Sequence, residues 1–492
     1  MKKLHISKKK RTFARCFMRT NRTHIRDMSN EHTKSSSFTS KLGLIMAAAG
    51  SAVGLGNIWK FPYIAGENGG GAFLIIYRVC VLLFGMPLLM TEFLIGKRSG
   101  KSAFGAFREL NGNGRWQWLS WLCMLTALLI MGFYFIVTGW CFNYLFEAVR
   151  NTFSGMSTEA LTAHFSAVAS DTPRMIAFSL LPMVLTAAVV WFDVNKGIER
   201  LSKILMPLLL GMMLLMVGRV LMLDGSNVGM QFFFRADFSA ITPRVVMEAM
   251  GQCFFSLSIG MGALITYGAY MPKNQNVAAT SVQVIVLDTL VAILAGVIIF
   301  PAVFAFGFNP AEGPQLVFVV LPAILQQMSL TWVSSVLFFA LLCIAALTST
   351  ISLMEVMVAF ICEASDSLGQ RKNGQPRRAL SRQKSVMITS AVVGVLLVLC
   401  VLSMTGKADW LTIRGYNLFE CFDDMTACLM MPLGALGMAV FVGWNLPKDG
   451  GRGVLNPSQG VKRWVGKAYI FALRWIVPLA IVIIFLNSLG IL

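Results

Sequence analysis

Apolar runs of about 20 residues, the length that crosses a hydrocarbon core about 30 Å thick, alternate along the chain with short polar loops. They fall at 42–63, 71–95, 118–149, 174–192 and 199–222, and resume after a polar interval at 243–270, 279–306, 331–362, 384–404, 411–444 and 464–490. The pattern predicts an all-α integral membrane protein with eleven transmembrane helices. Two of the runs are poorly suited to remain regular helices. The first contains Gly50-Ser51-Ala52-Val53-Gly54-Leu55-Gly56-Asn57-Ile58-Trp59-Lys60-Phe61-Pro62. Each glycine there costs about 1 kcal/mol in a helix interior relative to alanine, and Ser51 and Asn57 compete for backbone groups. The sixth run repeats the interruption at Gln252-Cys253-Phe254-Phe255-Ser256-Leu257-Ser258-Ile259-Gly260-Met261-Gly262.

Unpaired backbone inside a bilayer is tolerated only where it is buried in protein or lines a cavity, so each break implies something bound to it. The breaks fall in the first run of two successive blocks of five, the pattern of a transporter built from inverted repeats around a midplane site. The predicted organisation is a basic, disordered tail over 1–40, a first five-helix repeat over 41–222, a second over 243–444, and an eleventh helix over 464–490. Two facing breaks present free amides that suit a carboxylate and free carbonyls that suit an alkali cation. Asn57, Ser256 and the intramembrane Asp288 add the oxygen ligands that hard cations take. Run eight adds the hydroxyls of Thr348, Ser349, Thr350 and Ser352, which taken alone read as ordinary back-bonding to the preceding turn.

Composition agrees: 56% of the 492 residues are hydrophobic and 13% charged, about half the charge of a soluble protein. The net charge of +19 would fit a nucleic-acid binder were it gathered on one domain. Instead it sits in the segment before run one and in the loops after runs two, four, eight and ten, including Lys97, Arg98, Lys196, Arg200, Arg377, Arg378 and Lys448. The positive-inside rule then places the N-terminus in the cytoplasm and the C-terminus outside, with no nucleic-acid partner. The first 40 residues lack the apolar core of a secretory signal, and a start at Met28 is the alternative reading of that end. The ten cysteines form no C-x-x-C pair and read as small buried hydrophobes. Arg78, inside run two, reads as a snorkelling side chain.

Gly50 to Pro62, the Glu67 to Gly71 turn, Phe254 to Gly262, Thr266-Tyr267-Gly268-Ala269-Tyr270 and Leu347-Thr348-Ser349 together resemble the neurotransmitter:sodium symporter family, especially its eleven-span bacterial amino-acid transporters. The resemblance runs from about residue 38 to the last span. It implies the leucine-transporter fold, with five-plus-five inverted repeats and broken helices 1 and 6, and sodium-coupled uptake by alternating access across a cell membrane. It further implies a first sodium site at the Ala52 carbonyl, Asn57, Ser256 and Asp288, completed by the substrate carboxylate. A second would use the carbonyls of Gly50, Val53 and Ala345 and the hydroxyls of Thr348 and Ser349. The substrate carboxylate would meet the amides of Leu55 and Gly56 and the Tyr134 hydroxyl, its amine the carbonyls around Ser51, Ala52, Phe255 and Ser258. Phe255, Met261, Leu264 and Leu353 would shape the side-chain pocket, and no organic cofactor is implied.

Departures from the family pattern sharpen this. Asp288 stands where relatives have Asn, and in chloride-dependent relatives an anion binds near the positions of Tyr77, Gln252 and Ser256, so a fixed carboxylate predicts chloride-independent transport. The outer gate reads as Lys60 with Asp423, and lysine cannot form the bidentate fork of arginine. The inner gate reads as Glu363, with Lys34 in place of the usual arginine and Phe38 in place of a tryptophan. An unbranched Met261 leaves room for aliphatic or aromatic L-amino acids. Rival classes are an amino-acid sensor on the same scaffold, a symporter of another small zwitterion, a channel, and an intramembrane hydrolase. The chain lacks H-E-x-x-H and G-x-S-x-G, and its four histidines lie outside the runs, which speaks against an enzyme.

Overall fold

The computed structural model describes residues 37–488 apart from 113, 273, 311–315, 328–329, 370–379, 414 and 447–462. The expected tail over 1–40 lies outside these residues except for its last four. Every predicted run coincides with helix. In chain order the helices are α1 Lys41–Ala52, α2 Gly56–Glu67, α3 Gly71–Ser99, α4 Ala103–Asn111, α5 Gln117–Val149, α6 Thr158–Ser170, α7 Thr172–Trp191 and α8 Lys196–Leu221. They continue as α9 Ser226–Phe234, α10 Pro243–Ser256, α11 Ala263–Ala269, α12 Val277–Ala305, α13 Leu316–Gln327, α14 Thr331–Gly369, α15 Arg382–Met404, α16 Leu418–Asn445 and α17 Trp464–Ile483.

Nine of the described helices are long and apolar enough to cross a membrane, ten if the bent pair α1 and α2 is one span. Two of the eleven expected runs, the first and the sixth, are interrupted, at the stretches where breaks were expected. The first run breaks after Ala52 and resumes at Gly56 with a 48° bend. The sixth run forms two short helices, α10 and α11, on either side of residues 257–262.

Local chemistry explains both breaks. At the first, Gly54 packs so close to α14 and α5 that a Cβ would overlap the Ser349 hydroxyl and lie 3.0 Å from the Tyr134 oxygen. No larger residue fits while these helices stay in place. At the second, Gly260 has φ +93°, a conformation that L side chains rarely adopt, and its amide is taken by the Glu92 carboxylate at 2.7 Å rather than by a helical carbonyl. Ser258 also has positive φ (54°). Glu92, fully buried on α3, thus holds the non-helical segment open.

The interrupted elements are enclosed by α3, α5, α8, α12 and α14, whose inward faces form the apolar core. Arg78 is exposed on α3 beside Val79 and Leu82, the position of a lipid-facing snorkelling residue. His164 on α6 instead meets a buried cluster, 2.9 Å from Glu147, which Arg174 also pairs. The nine described cysteines are all free.

Candidate functional site

The two breaks face one another, and the polar groups expected to bind a cation converge between them. Asp288 on α12 is fully buried. Its Oδ1 accepts from Asn57 Nδ2 at 2.8 Å and from Ser256 Oγ at 2.9 Å, and its Oδ2 accepts from the Tyr77 hydroxyl at 3.3 Å. Asn57 Nδ2 also donates to Ser256 Oγ at 3.0 Å, while its Oδ1 accepts from the Gly54 amide. Burying a carboxylate carries a large solvation cost unless a cation or several donors meet it. Three neutral donors offset part of that cost here.

A second cluster forms across α1 and α14. The Thr348 hydroxyl lies 2.9 Å from the Ala345 carbonyl and 3.4 Å from that of Val53. Gly50 faces the same side chain, with room for a Cβ only at 3.3 Å from Thr348 Cβ. Ser349 follows Thr348, with its hydroxyl against Gly54. All five residues of the expected second cation set are thus neighbours, and their oxygens are the carbonyls and hydroxyls that alkali cations prefer.

Between the clusters lies a cavity of about 30 Å³, lined by Ser51, Ala52, Gly54, Gly56, Ile130, Tyr134, Phe255, Ser258, Met261, Ser349, Ser352 and Leu353. Every lining residue except Phe255 is buried. The Leu55 amide donates to the Tyr134 hydroxyl at 3.1 Å, so both groups expected to meet a carboxylate point to one place. Leu264, expected in the pocket wall, is fully buried but does not line the cavity. Ile130 and Ser352, absent from that expectation, do. The apolar character of α5 runs all round the helix, leaving no stripe to say which residue faces inward.

Both ends of the cavity are closed. On one side Lys60 Nζ sits 3.4 Å from Asp423 and 4.5 Å from the centre of the Phe255 ring. The expected Lys60–Asp423 pair is present, joined by a cation–π contact. On the other side Phe38, buried, packs edge-on against Tyr267 and Tyr270, and its amide donates to the Tyr270 carbonyl at 3.0 Å.

The ionic lock on this second side is not legible in the sequence. Glu355, fully buried on α14, takes a bidentate pair from Arg382 at 3.0 and 2.5 Å and a hydrogen bond from the Tyr270 hydroxyl at 2.8 Å. Arg382 Nε reaches the carbonyls of Val190 and Phe192 at the end of α7. Glu363, expected as the inner-gate acid, accepts instead from the amides of Ser102 and Gly105 at the start of α4, where an anion satisfies free helix donors. Its expected partner Lys34 lies outside the described residues.

A family model described as the sodium:neurotransmitter symporter family matches residues 35–163 and 164–490. The chain belongs to this family. Within it, the chain is 36% identical over 455 residues to an uncharacterised sodium-dependent transporter, YhdH, of Bacillus subtilis, covering 92% of this chain and 98% of that one. It is 32% identical to an uncharacterised sodium-dependent transporter of Haemophilus influenzae, over 94% of this chain and the whole of the relative. Among solved structures, that of MhsT in complex with L-phenylalanine superposes with a TM-score of 0.83 at 38% identity, covering 92% of this chain and 99% of MhsT. The protein is thus a multi-pass member of a sodium-dependent transporter family with the leucine-transporter fold.

The Tyr134 hydroxyl lies against the Leu55 amide, which gives a direct test. Tyr134→Phe keeps the ring and deletes the hydroxyl expected to donate to a carboxylate, and a hydrogen bond to a charged group contributes about 1.5 to 3 kcal/mol. A tenfold or larger rise in the substrate concentration for half-maximal uptake is expected, measured in proteoliposomes.

Proposed function

We propose that the chain is a sodium-coupled symporter that imports hydrophobic or aromatic L-amino acids by alternating access, without a requirement for chloride. The observation that carries this reading is the buried Asp288 carboxylate, in contact with Asn57, Ser256 and Tyr77 between two helix breaks. A fixed negative charge at that place suits a monovalent cation and removes the need for a second anion. The solved relative MhsT was crystallised with L-phenylalanine, which supports an aromatic or aliphatic substrate.

In this reading sodium meets the Ala52 carbonyl, Asn57, Ser256 and Asp288 at one site. At the other it meets the carbonyls of Gly50, Val53 and Ala345 with the hydroxyls of Thr348 and Ser349. The substrate carboxylate takes the amides of Leu55 and Gly56 and the Tyr134 hydroxyl, and neutralises the first cation directly. Substrate and ion therefore bind better together than apart, which is thermodynamic coupling. Its amine takes the carbonyls around Ser51, Ala52, Phe255 and Ser258. The 30 Å³ cavity holds little more than water, so loading requires Phe255 and the flexible Met261 to give way. Lys60 with Asp423 closes the outer side. The side bearing Phe38 faces the cytoplasm, and there Glu355 with Arg382 replaces Glu363 as the gate.

The test is uptake of radiolabelled L-phenylalanine and the other amino acids into proteoliposomes under an inward sodium gradient, in chloride and in gluconate. Accumulation is expected with sodium but not choline, at rates within about twofold in the two anions. No sodium-driven accumulation of any of the twenty amino acids would overturn amino-acid symport, and collapse in gluconate would overturn chloride independence alone.

A further inference from the structure

Five hydroxyl-bearing residues line the cavity: Ser51, Tyr134, Ser258, Ser349 and Ser352. Three have hydrogen-bond partners. The Tyr134 hydroxyl accepts from the Leu55 amide, Ser258 Oγ donates to the Ser51 carbonyl at 2.8 Å, and Ser352 Oγ donates to the Ser349 carbonyl at 2.8 Å. Ser51 Oγ, in a residue 2% exposed, has no partner among the described residues. A serine inside a membrane helix ordinarily bonds the carbonyl four residues back, as the hydroxyls of Thr91, Thr126 and Thr138 do here. The other hydroxyls left without partners, Thr280, Ser281, Thr389 and Ser390 among them, do not line the cavity.

Buried polar groups are almost always hydrogen-bonded, and the exceptions in native structures call for a ligand, a water or a function. The cavity wall also carries the apolar side chains of Ile130, Phe255, Met261 and Leu353. The amide end of the site is marked by Leu55 and Tyr134, whereas Ser51 sits four residues earlier, about one helical turn toward Lys41. A carboxylate held at the amides directs its side chain away from them, toward this wall.

We infer that Ser51 is a specificity-determining residue whose hydroxyl receives a hydrogen-bond donor on the side chain of the transported amino acid. This deepens, and rests on, the amino-acid reading above. It selects an aromatic side chain with a ring N–H or O–H over one of the same shape without it. In the unloaded site a water fits the cavity and satisfies the hydroxyl. A ring that carries a donor replaces that water's bond, while a ring that lacks one displaces the water and leaves Ser51 unpaired.

The test is competition against sodium-dependent binding of radiolabelled L-phenylalanine to the purified full chain. The competitors are L-tryptophan, L-3-benzothienylalanine, which has sulfur in place of the indole N–H, and L-tyrosine. The unmodified protein should bind tryptophan about tenfold more tightly than the sulfur analogue. Ser51→Ala should bring that ratio to within about twofold of one, and Ser51→Thr, which retains a hydroxyl, should preserve it. Tyrosine binding tighter than tryptophan identifies a ring O–H as the favoured donor. Equal affinities for tryptophan and its analogue in the unmodified protein overturn the inference whatever the variants do, as does an unchanged ratio in Ser51→Ala. Absence of sodium-dependent phenylalanine binding in the unmodified protein overturns the aromatic-substrate reading on which the inference rests.

Discussion

Asp288→Asn is expected to reduce sodium-driven uptake in chloride-free medium by about two orders of magnitude. The substitution preserves side-chain size and one acceptor oxygen, so Asn57 and Ser256 keep partners and the helices keep their packing. What disappears is the fixed negative charge that meets the cation in the proposed reading. Stripping a buried charge of its partner costs about 3 to 5 kcal/mol, and 1.4 kcal/mol is tenfold in an equilibrium constant. Charge removal therefore dominates any loss of hydrogen bonding, which is worth about 1 kcal/mol per neutral bond. Chloride should restore part of the activity, because an anion near Tyr77 and Ser256 returns the missing charge. Initial uptake rates against sodium concentration, in gluconate and in chloride, measure both effects. Rates in gluconate within threefold of the unmodified protein would remove Asp288 from the cation site.

Arg382→Ala should be the most destabilising single change on the side of the molecule that carries Phe38. Glu355 is fully buried, and Arg382 supplies two of its three hydrogen bonds besides tying the end of α7 to α14 and α15. Removing the guanidinium leaves a buried carboxylate with the Tyr270 hydroxyl alone, at a cost of about 3 to 5 kcal/mol. The double variant Glu355→Gln with Arg382→Gln carries no charge and should recover at least half of the loss. Thermal unfolding of the purified protein in detergent reads the difference. Uptake should fall in the single variant as well, because the lock that closes this side is open. A double variant as unstable as Arg382→Ala would show that packing, not charge pairing, holds this side together.

Much of the architecture is legible in the order of residues. Length and hydropathy alone locate the long apolar helices among the described residues, because a hydrocarbon environment forces the backbone to satisfy itself within each segment. Glycine pairs at Gly54 and Gly56 and at Gly260 and Gly262 mark both breaks, and Asp288 stands out because a carboxylate has no inexpensive place in an apolar run. The Lys60–Asp423 pair follows from the family resemblance and matches the geometry. The inner lock is different. Glu355, Tyr270 and Arg382 lie on three separate segments, and in one dimension Glu363 looks equally suitable as the acid. Leu264 reads as pocket wall for a related reason: in helices apolar on every side, sequence carries no record of which side chain turns inward.

The sequence by itself determined the membrane class, the position of the helices, the two interruptions and which polar side chains lie beside them. These follow from local properties: segment length, glycine content, and the cost of a polar group in hydrocarbon. Tertiary structure decided the rest. It set Asp288 against Asn57 and Ser256, paired Glu355 with Arg382, and left the buried Ser51 hydroxyl of the cavity wall without a partner among the described residues. Each of these depends on the relative rotation and depth of helices far apart in the chain, which packing fixes and composition does not encode.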